Sequence, residues 1–309
     1  MIWVIIILFL LFLILWGVGS SLKCHEKYPF DQYEQLKYYK ECPYNKEQCI
    51  DILNKSRLTP SKYKAGEICI VTVSIGERKF SKVTKRRMEK YCQLYNYHFE
   101  YFTEVLDDKY PLIWQKCVAM DRVLNLNYKV VVWFDDDIYM TNMNYRIEDF
   151  LNLTPNDIFM PRDIIKNNYN HYINSGCYMM KNNNISKEFM KDTLCGMKGL
   201  FNGHFETAIN HEQSINTYLY FSQKKYADAI EVLPYGVLQS VHNKHYYLYK
   251  NLYYFVSNFL EINEPWQEGD YCIHFITLKE DERNDLCHKI EKYDNNDLIP
   301  FTKKEWYTY

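Results

Sequence analysis

The segment Lys129 to Ile138, KVVVWFDDDI, constrains the chain more than any other. A short continuous run of β-branched and aromatic side chains is a strand buried on both faces, and such strands belong to parallel sheets covered by helices. Three carboxylates, Asp135, Asp136 and Asp137, follow it directly. Like charges this close repel, and the repulsion grows in a crevice of low dielectric. A hard divalent cation relieves it, and carboxylates around an octahedral site suit Mg²⁺ or Mn²⁺. Asp135 and Asp137 stand two apart and point the same way at a strand end, which leaves Asp136 facing elsewhere. An acidic triplet by itself is usually a solvated turn; its position behind KVVVWF favours the metal.

The flanking pattern predicts an α/β domain. Ile68 to Val73 (ICIVTV) reads as a buried strand and Ser74-Ile75-Gly76 as a turn. Ser81 to Tyr95 is helical in pattern, with Val83, Met88, Tyr91 and Leu94 near one face. His98 to Phe102 alternates like a strand, Pro111 to Leu124 reads as a helix, and KVVVWF follows. Strand–helix–strand–helix–strand order means parallel strands with crossover helices, and the ligand crevice of such sheets lies at the carboxyl ends of the strands. Further strands are expected at Asp157 to Met160, Cys177 to Met180 and Tyr271 to Phe275. Helices are expected at Ser186 to Leu194, Glu206 to Phe221 and Glu280 to Lys292.

Residues 1–20 are a different matter. Met1 to Val18 is almost purely apolar and no charge precedes Lys23. The run is about long enough to cross a ~30 Å hydrocarbon core. A cleaved signal peptide, cut among the small residues near Gly17 to Ser21, competes with an uncleaved anchor; the length of the run favours the anchor. Lys23 and Lys27 follow the span and nothing basic precedes it, so the positive-inside tendency does not favour a lumenal C-terminus. Residues 21–65 are polar and rich in Lys and Tyr, and read as a stem with a short helix near Gln32 to Tyr39; residues 66–309 are expected to form one domain that carries the aspartates. Lys+Arg 37 against Asp+Glu 39 leaves a net charge of −2, which argues against a nucleic-acid partner. Ten cysteines are compatible with disulfides in an oxidising lumen, with Cys42–Cys49 and Cys272–Cys287 as possible pairs and Cys69 as a buried thiol. Sequons at Asn54, Asn152 and Asn184 add minor support for that compartment.

Four other stretches fall in a consistent order around the triplet: Trp114-Gln115-Lys116, Asn174-Ser175-Gly176, Glu212-Gln213, and Gly269-Asp270-Tyr271-Cys272-Ile273-His274-Phe275. The Asp-x-Asp spacing is that by which many glycosyltransferases hold a metal–nucleotide-sugar complex. Together with Tyr91-Cys92-Gln93-Leu94-Tyr95-Asn96-Tyr97, similar to a Tyr-Ala-x-x-x-Gly-Tyr stretch, these motifs make residues 67 to 290 resemble the fungal Golgi α-galactosyltransferases and plant xyloglucan α-xylosyltransferases. The resemblance implies a GT-A fold, a Rossmann-like mixed sheet flanked by helices. It also implies a type II membrane protein of the Golgi or ER with a lumenal catalytic domain. Such an enzyme moves galactose or xylose from a UDP-sugar to a glycan acceptor with retention of configuration, using Mn²⁺ or Mg²⁺.

The resemblance also implies roles. Asp135, Asp137 and His274 would be the metal ligands, although a lone strand histidine is more often a satisfied core residue. Thr72, Ser74 and Gly76 would border the uridine, with Asp136 also on the donor side. Lys116 would neutralise phosphate charge, and Ser175 and Gly176 would form the floor under the donor sugar. Asn174, Glu212 and Gln213 would sit near the anomeric carbon or the acceptor, against the plain alternative of a turn and a solvated helix face. Trp114, Tyr235 and Trp266 are candidates for an acceptor platform but rank first as core. The sequence departs from the family's His-Phe-Ala-Gly-Cys at His274-Phe275-Ile276-Thr277-Leu278, and from its acidic Asp-Gln pair at Glu212-Gln213. Lys279 and Arg283 follow closely enough to meet phosphate. Three readings compete with a retaining transferase: an inverting GT-A enzyme with Glu212 as base, a catalytically silent sugar-binding or scaffolding relative, and a nucleotidyltransferase, for which SIGERKF is only a faint phosphate loop.

Overall fold

The first strand, β1 (Ile68–Val73), is buried along nearly its whole length, as its unbroken apolar run requires. In the computed structural model, which describes residues 38, 40–64, 66–76, 78–165, 172–199, 211–242, 263–267, 269–276 and 278–291, it pairs in parallel with β2 (His98–Phe102) on one side and β3 (Val130–Phe134) on the other. The crossover helices are α2 (Lys79–Tyr95) and α3 (Gln115–Leu124), the latter entered through a 3₁₀ turn at Leu112–Trp114. The sheet then becomes mixed. β6 (Cys177–Lys181) runs antiparallel to both β3 and β5 (Ile158–Pro161), and β7 (Ile230–Leu233) runs parallel to β5. The order β2-β1-β3-β6-β5-β7 therefore brings the carboxyl ends of β1, β3, β5 and β7 to one edge.

A second sheet of three short strands was not expected from the sequence. It holds β4 (Ile138–Met140), β8 (Ser240–Val241) and β9 (Cys272–His274), ordered β4-β9-β8. Helices α5 (Asn184–Gly199), α6 (His211–Ser222) and α7 (Lys224–Ala229) pack on one another, α5 also meeting α3, and α8 (Glu280–Glu291) lies against α2. A five-residue helix, α4 (Ile147–Leu151), follows β4.

Two local expectations need correction. Leu94 is 48% exposed, because the buried positions of α2 run Phe80, Val83 and Thr84, Arg87 and Met88, Tyr91 and Cys92, a stripe that passes beside Leu94. Part of the stretch read as stem is folded: α1 (Lys46–Ser56), capped by Asn45, buries Cys49 and Leu53 among residues of the sheet and of α4. Its few apolar residues hid it from a periodicity argument. Cys42 and Cys49 are thiols hydrogen-bonded to each other, and Cys69 is a buried thiol. Cys272 is also a buried thiol; the Cys287 side chain lies outside the description. The apolar run at residues 1–20 lies outside the described residues, as do Gln32 to Lys37, Thr277 and residues 206–210 of the expected helix. Among the described residues no helix is long and apolar enough to cross a membrane.

Candidate active site

β3 delivers the three aspartates to the carboxyl edge, and each is used differently. Asp135 continues the ladder: its backbone N–H donates to Gly176 O at 2.8 Å. Its Oδ1 accepts from the Trp133 indole N–H at 2.8 Å and from Lys116 Nζ at 3.3 Å. Asp136 turns the other way, as its alternation predicts. Its carboxylate accepts from Ser74 and Ser81 hydroxyls, both at 2.7 Å, and pairs with Arg78. Burial, and then the neighbouring Asp137, push its pKa up. Asp137 stands directly before β4, and β4 pairs with β9 so that Ile138 lies opposite His274.

That pairing brings the late histidine to the aspartates. His274 Nε2 lies 3.1 Å from Asp137 Oδ1 and 3.7 Å from Asp135 Oδ2. Asp135, Asp137 and His274 each offer a ligand atom within 4.8 Å of the others, the set expected from the sequence. Two hard carboxylates and one imidazole are a donor set for a divalent cation, which would share the aspartates with Lys116 and Arg283. Burial disfavours a charged His274, but Asp137 and Asp135 outweigh it and its pKa is raised. Burial also works against the Asp137 anion, yet His274 and Arg283, whose Nη2 lies 3.2 Å away, hold it down to about 2.

The Asn-Ser-Gly turn enters β6 beneath this cluster. Asn174 Oδ1 accepts from Gly176 N–H at 2.8 Å and from Gln239 Nε2 at 2.5 Å, and its Nδ2 donates to Asp163 at 3.0 Å. Gln213 closes the network, donating to Asp163 at 3.0 Å and accepting from Ser175 N–H at 3.3 Å. Ser175 Oγ accepts from Asn216 Nδ2 at 3.2 Å. A Cβ on Gly176 would sit 2.4 Å from His274 Cε1, so only glycine lets the imidazole take this place. Lys116 bridges Asp135 and Glu212, at 2.5 Å from Glu212 Oε1. Burial opposes the Lys116 charge, but the two carboxylates raise its pKa; burial raises that of Glu212 in spite of the lysine.

The structure thus joins Asp135, Asp137, His274, Lys116, Glu212, Gln213, Asn174, Ser175 and Gly176 in one neighbourhood. Ser74 is tied to it through Asp136, and Gly76 lies exposed in the turn after β1 with φ 90°. Thr72 is not brought to the crevice: it is fully buried and its hydroxyl donates to Phe134 O at 3.0 Å, strapping β1 to β3. Trp114, Tyr235 and Trp266 are core residues. Sequence reasoning missed Trp133, Arg78, Ser81 and Asp163. Two carried a signal: Trp133 shares a face with Asp135 two residues on, and Asp163 follows an apolar strand as the triplet does.

Residues 71–265 match the family model described as nucleotide-diphospho-sugar transferase. No curated protein matches. Solved structures similar to the chain include a glycosyltransferase involved in the glycosylation of the major capsid of PBCV-1, 17% identical with a TM-score of 0.48, over 72% of this chain and 98% of that one. The glycosyltransferase GlyE of Streptococcus pneumoniae TIGR4 is 13% identical with a TM-score of 0.45, over 74% of this chain and 60% of that one. Apo mouse xyloside xylosyltransferase 1 is 14% identical with a TM-score of 0.43, over 75% and 92%.

Proposed function

We propose, for a chain that belongs to the nucleotide-diphospho-sugar transferase family and has a GT-A-type glycosyltransferase domain, that it moves a hexose or pentose, galactose or xylose, from a UDP-sugar to a glycan acceptor with retention of configuration. The observation that carries this is the convergence of Asp135, Asp137 and His274 at the carboxyl edge of the sheet. These three residues would hold Mn²⁺ or Mg²⁺, which when bound neutralises negative charge on the departing diphosphate.

The chain's own groups supply the rest. Lys116, charged and held between Asp135 and Glu212, would add positive charge beside the phosphates. Ser74, Gly76 and Asp136 stand on the β1 side, where the uridine would lie; Ser175 and Gly176 lie below the metal ligands as a floor for the sugar. Asn174 and Gln213, locked through Asp163, keep that floor in register. Glu212 is buried and paired with Lys116, and burial raises its pKa, so an inverting enzyme with Glu212 as base is the reading against which retention is tested. An N-terminal anchor with the catalytic domain in the Golgi or ER lumen completes the reading; it rests on the apolar run at residues 1–20.

The test is binding of UDP and hydrolysis of a panel of UDP-sugars by the purified chain, with and without Mn²⁺. Metal-dependent UDP binding that Asp137→Ala and His274→Ala each abolish is expected, and the sugar released names the donor. A folded protein that binds no UDP under any metal would sink the transferase and leave the silent relative.

A further inference from the structure

Two buried polar atoms border the space that Gly176 leaves open, and neither has a hydrogen-bond partner among the described residues: His274 Nδ1 and Gln239 Oε1. A Cβ on Gly176 would stand 2.6 Å from the first and 2.9 Å from the second. Gln239 is 2% exposed and His274 3%, so both atoms have given up bulk water. Leaving such groups unpaired costs their full desolvation, and buried polar groups are nearly always hydrogen-bonded. The small sheet holds the two residues beside each other. Gln239 directly precedes β8, whose Val241 stands opposite His274 in the parallel pairing with β9. The Gln239 carbonyl accepts from Gly236 N–H at 3.0 Å, and His242 N–H donates to His274 O at 3.2 Å.

The direction of the Gln239 amide is fixed by groups whose chemistry leaves no choice. The backbone N–H of Gly176 can only donate, so the Asn174 atom that meets it is the carbonyl oxygen Oδ1. At the other end of the same amide, the Asp163 carboxylate accepts from Asn174 Nδ2. The end of Gln239 that faces Asn174 Oδ1 is therefore its NH₂ group, and the oxygen is the end left for the space over Gly176.

The imidazole has a use for that oxygen. His274 Nε2 is the nitrogen directed at Asp137 and Asp135. A cation held there takes the Nε2 lone pair, which leaves the proton of the neutral ring on Nδ1. Histidines that ligate metals typically donate this second N–H to a fixed acceptor, which sets the orientation of the ring. We infer that Gln239 is a positioning residue of the site: its Oε1 accepts the Nδ1 proton of His274 and holds the imidazole with Nε2 toward the aspartates. The chain Asp163–Asn174–Gln239–His274 then ties the donor floor to the metal ligand, and Gly176 is needed because any side chain there would stand between the last two. The consequence for metal affinity rests on the metal reading of the aspartate site; the contact between Gln239 and His274 does not.

The test takes two readouts on the full chain in detergent. One is the Nδ1–H resonance of His274 in metal-free protein labelled with ¹⁵N-histidine, at about pH 6, where the ring carries both protons; its loss in His274→Asn identifies it. The other is Mn²⁺ affinity by isothermal titration. Gln239→Leu is expected to speed exchange of that proton with water at least ten-fold and to lower Mn²⁺ affinity at least ten-fold. Gln239→Glu keeps an acceptor but cannot donate to Asn174, and is expected to keep slow exchange and to hold Mn²⁺ affinity within about three-fold. A resonance that Gln239→Leu leaves unchanged overturns the contact. A glutamate variant that loses as much affinity as the leucine variant would mean that Gln239 acts through Asn174 alone, and overturns the positioning role. A folded wild type that binds no Mn²⁺ is a separate result that removes the metal reading, while the resonance still decides the contact.

Discussion

Gly176 and His274 belong to motifs far apart in the sequence, yet neither works without the other. A side chain at position 176 meets the imidazole at under 3 Å, so Gly176→Ala must displace the ring of a metal ligand. Perturbing the shell behind a ligand typically costs 10–100-fold in metal affinity. Gly176→Ala is expected to lower Mn²⁺ affinity at least ten-fold by isothermal titration, with an unchanged circular dichroism spectrum; full affinity would mean that the ring relocates freely. The same imidazole makes metal binding pH-dependent. Without metal, burial opposes protonation of His274, but Asp137 and then Asp135 prevail and its pKa is raised. A cation takes only the neutral imidazole, so binding expels a proton and weakens as pH falls through the raised value. The sign for stability is opposite: the His274⁺–Asp137⁻ attraction stabilises the metal-free fold below the unfolded imidazole value of about 6.5, and is lost as pH rises through the folded one. Titrations in buffers of different ionisation enthalpy count the proton. Zero release near neutral pH would remove His274 from the ligand set.

At the scale of elements, what was legible depended on length and on local pairing. The strand–helix–strand–helix–strand order from Ile68 to Phe134 could be read because each element is long enough to show its period and each crossover is local. The three-stranded sheet could not. Its strands have three, two and three residues, and the partner of β4 lies far along the chain. The site divides in the same way: Asp135 and Asp137 were legible from a single strand, His274 only through resemblance to a family, and Asp163 only as a carboxylate following an apolar strand, its role becoming visible once β5 lies beside β6. The end of α2 shows what resemblance adds. Asn96 stands where the similar family carries glycine, and it adopts φ 57°, with the next N–H closing on Cys92 O at 2.9 Å. Asparagine tolerates that left-handed conformation better than other non-glycine residues. Asn96→Ala is expected to cost about 1 kcal/mol by denaturant unfolding, and Asn96→Gly to be neutral or mildly stabilising. Equal costs for the two would mean that the side chain matters more than the backbone.

Seen across the whole molecule, the ligand set straddles two sheets. Asp135 is tied to the six-stranded sheet through Gly176, whereas Asp137 leads into, and His274 ends, strands of the small one. A cation shared by them binds the native state and not the unfolded chain, so its binding energy adds to folding energy. At one hundred times Kd that is about 2.7 kcal/mol, and at ~2–4 °C per kcal/mol for a body of this size, Mn²⁺ is expected to raise Tm by roughly 5–10 °C. Asp137→Ala should abolish the increment. A second tie acts without metal. Lys46 on α1 reaches Asp270 at 2.6 Å, in the loop before β9, and the Asp270 carbonyl accepts from Thr141 just after β4. The Asp270 side chain is 3% exposed, so losing its cation leaves a nearly buried carboxylate short of a partner, while the partly exposed lysine gives up little of its own hydration. Lys46→Met is therefore expected to cost ~1–3 kcal/mol and several degrees of Tm. Because the two ties share no partner, their effects should add, and the Mn²⁺ increment of the Lys46→Met protein should equal that of the wild type. An increment that shrinks with the mutation would show that α1 holds His274 in place, and that the segment read as stem is part of the metal site.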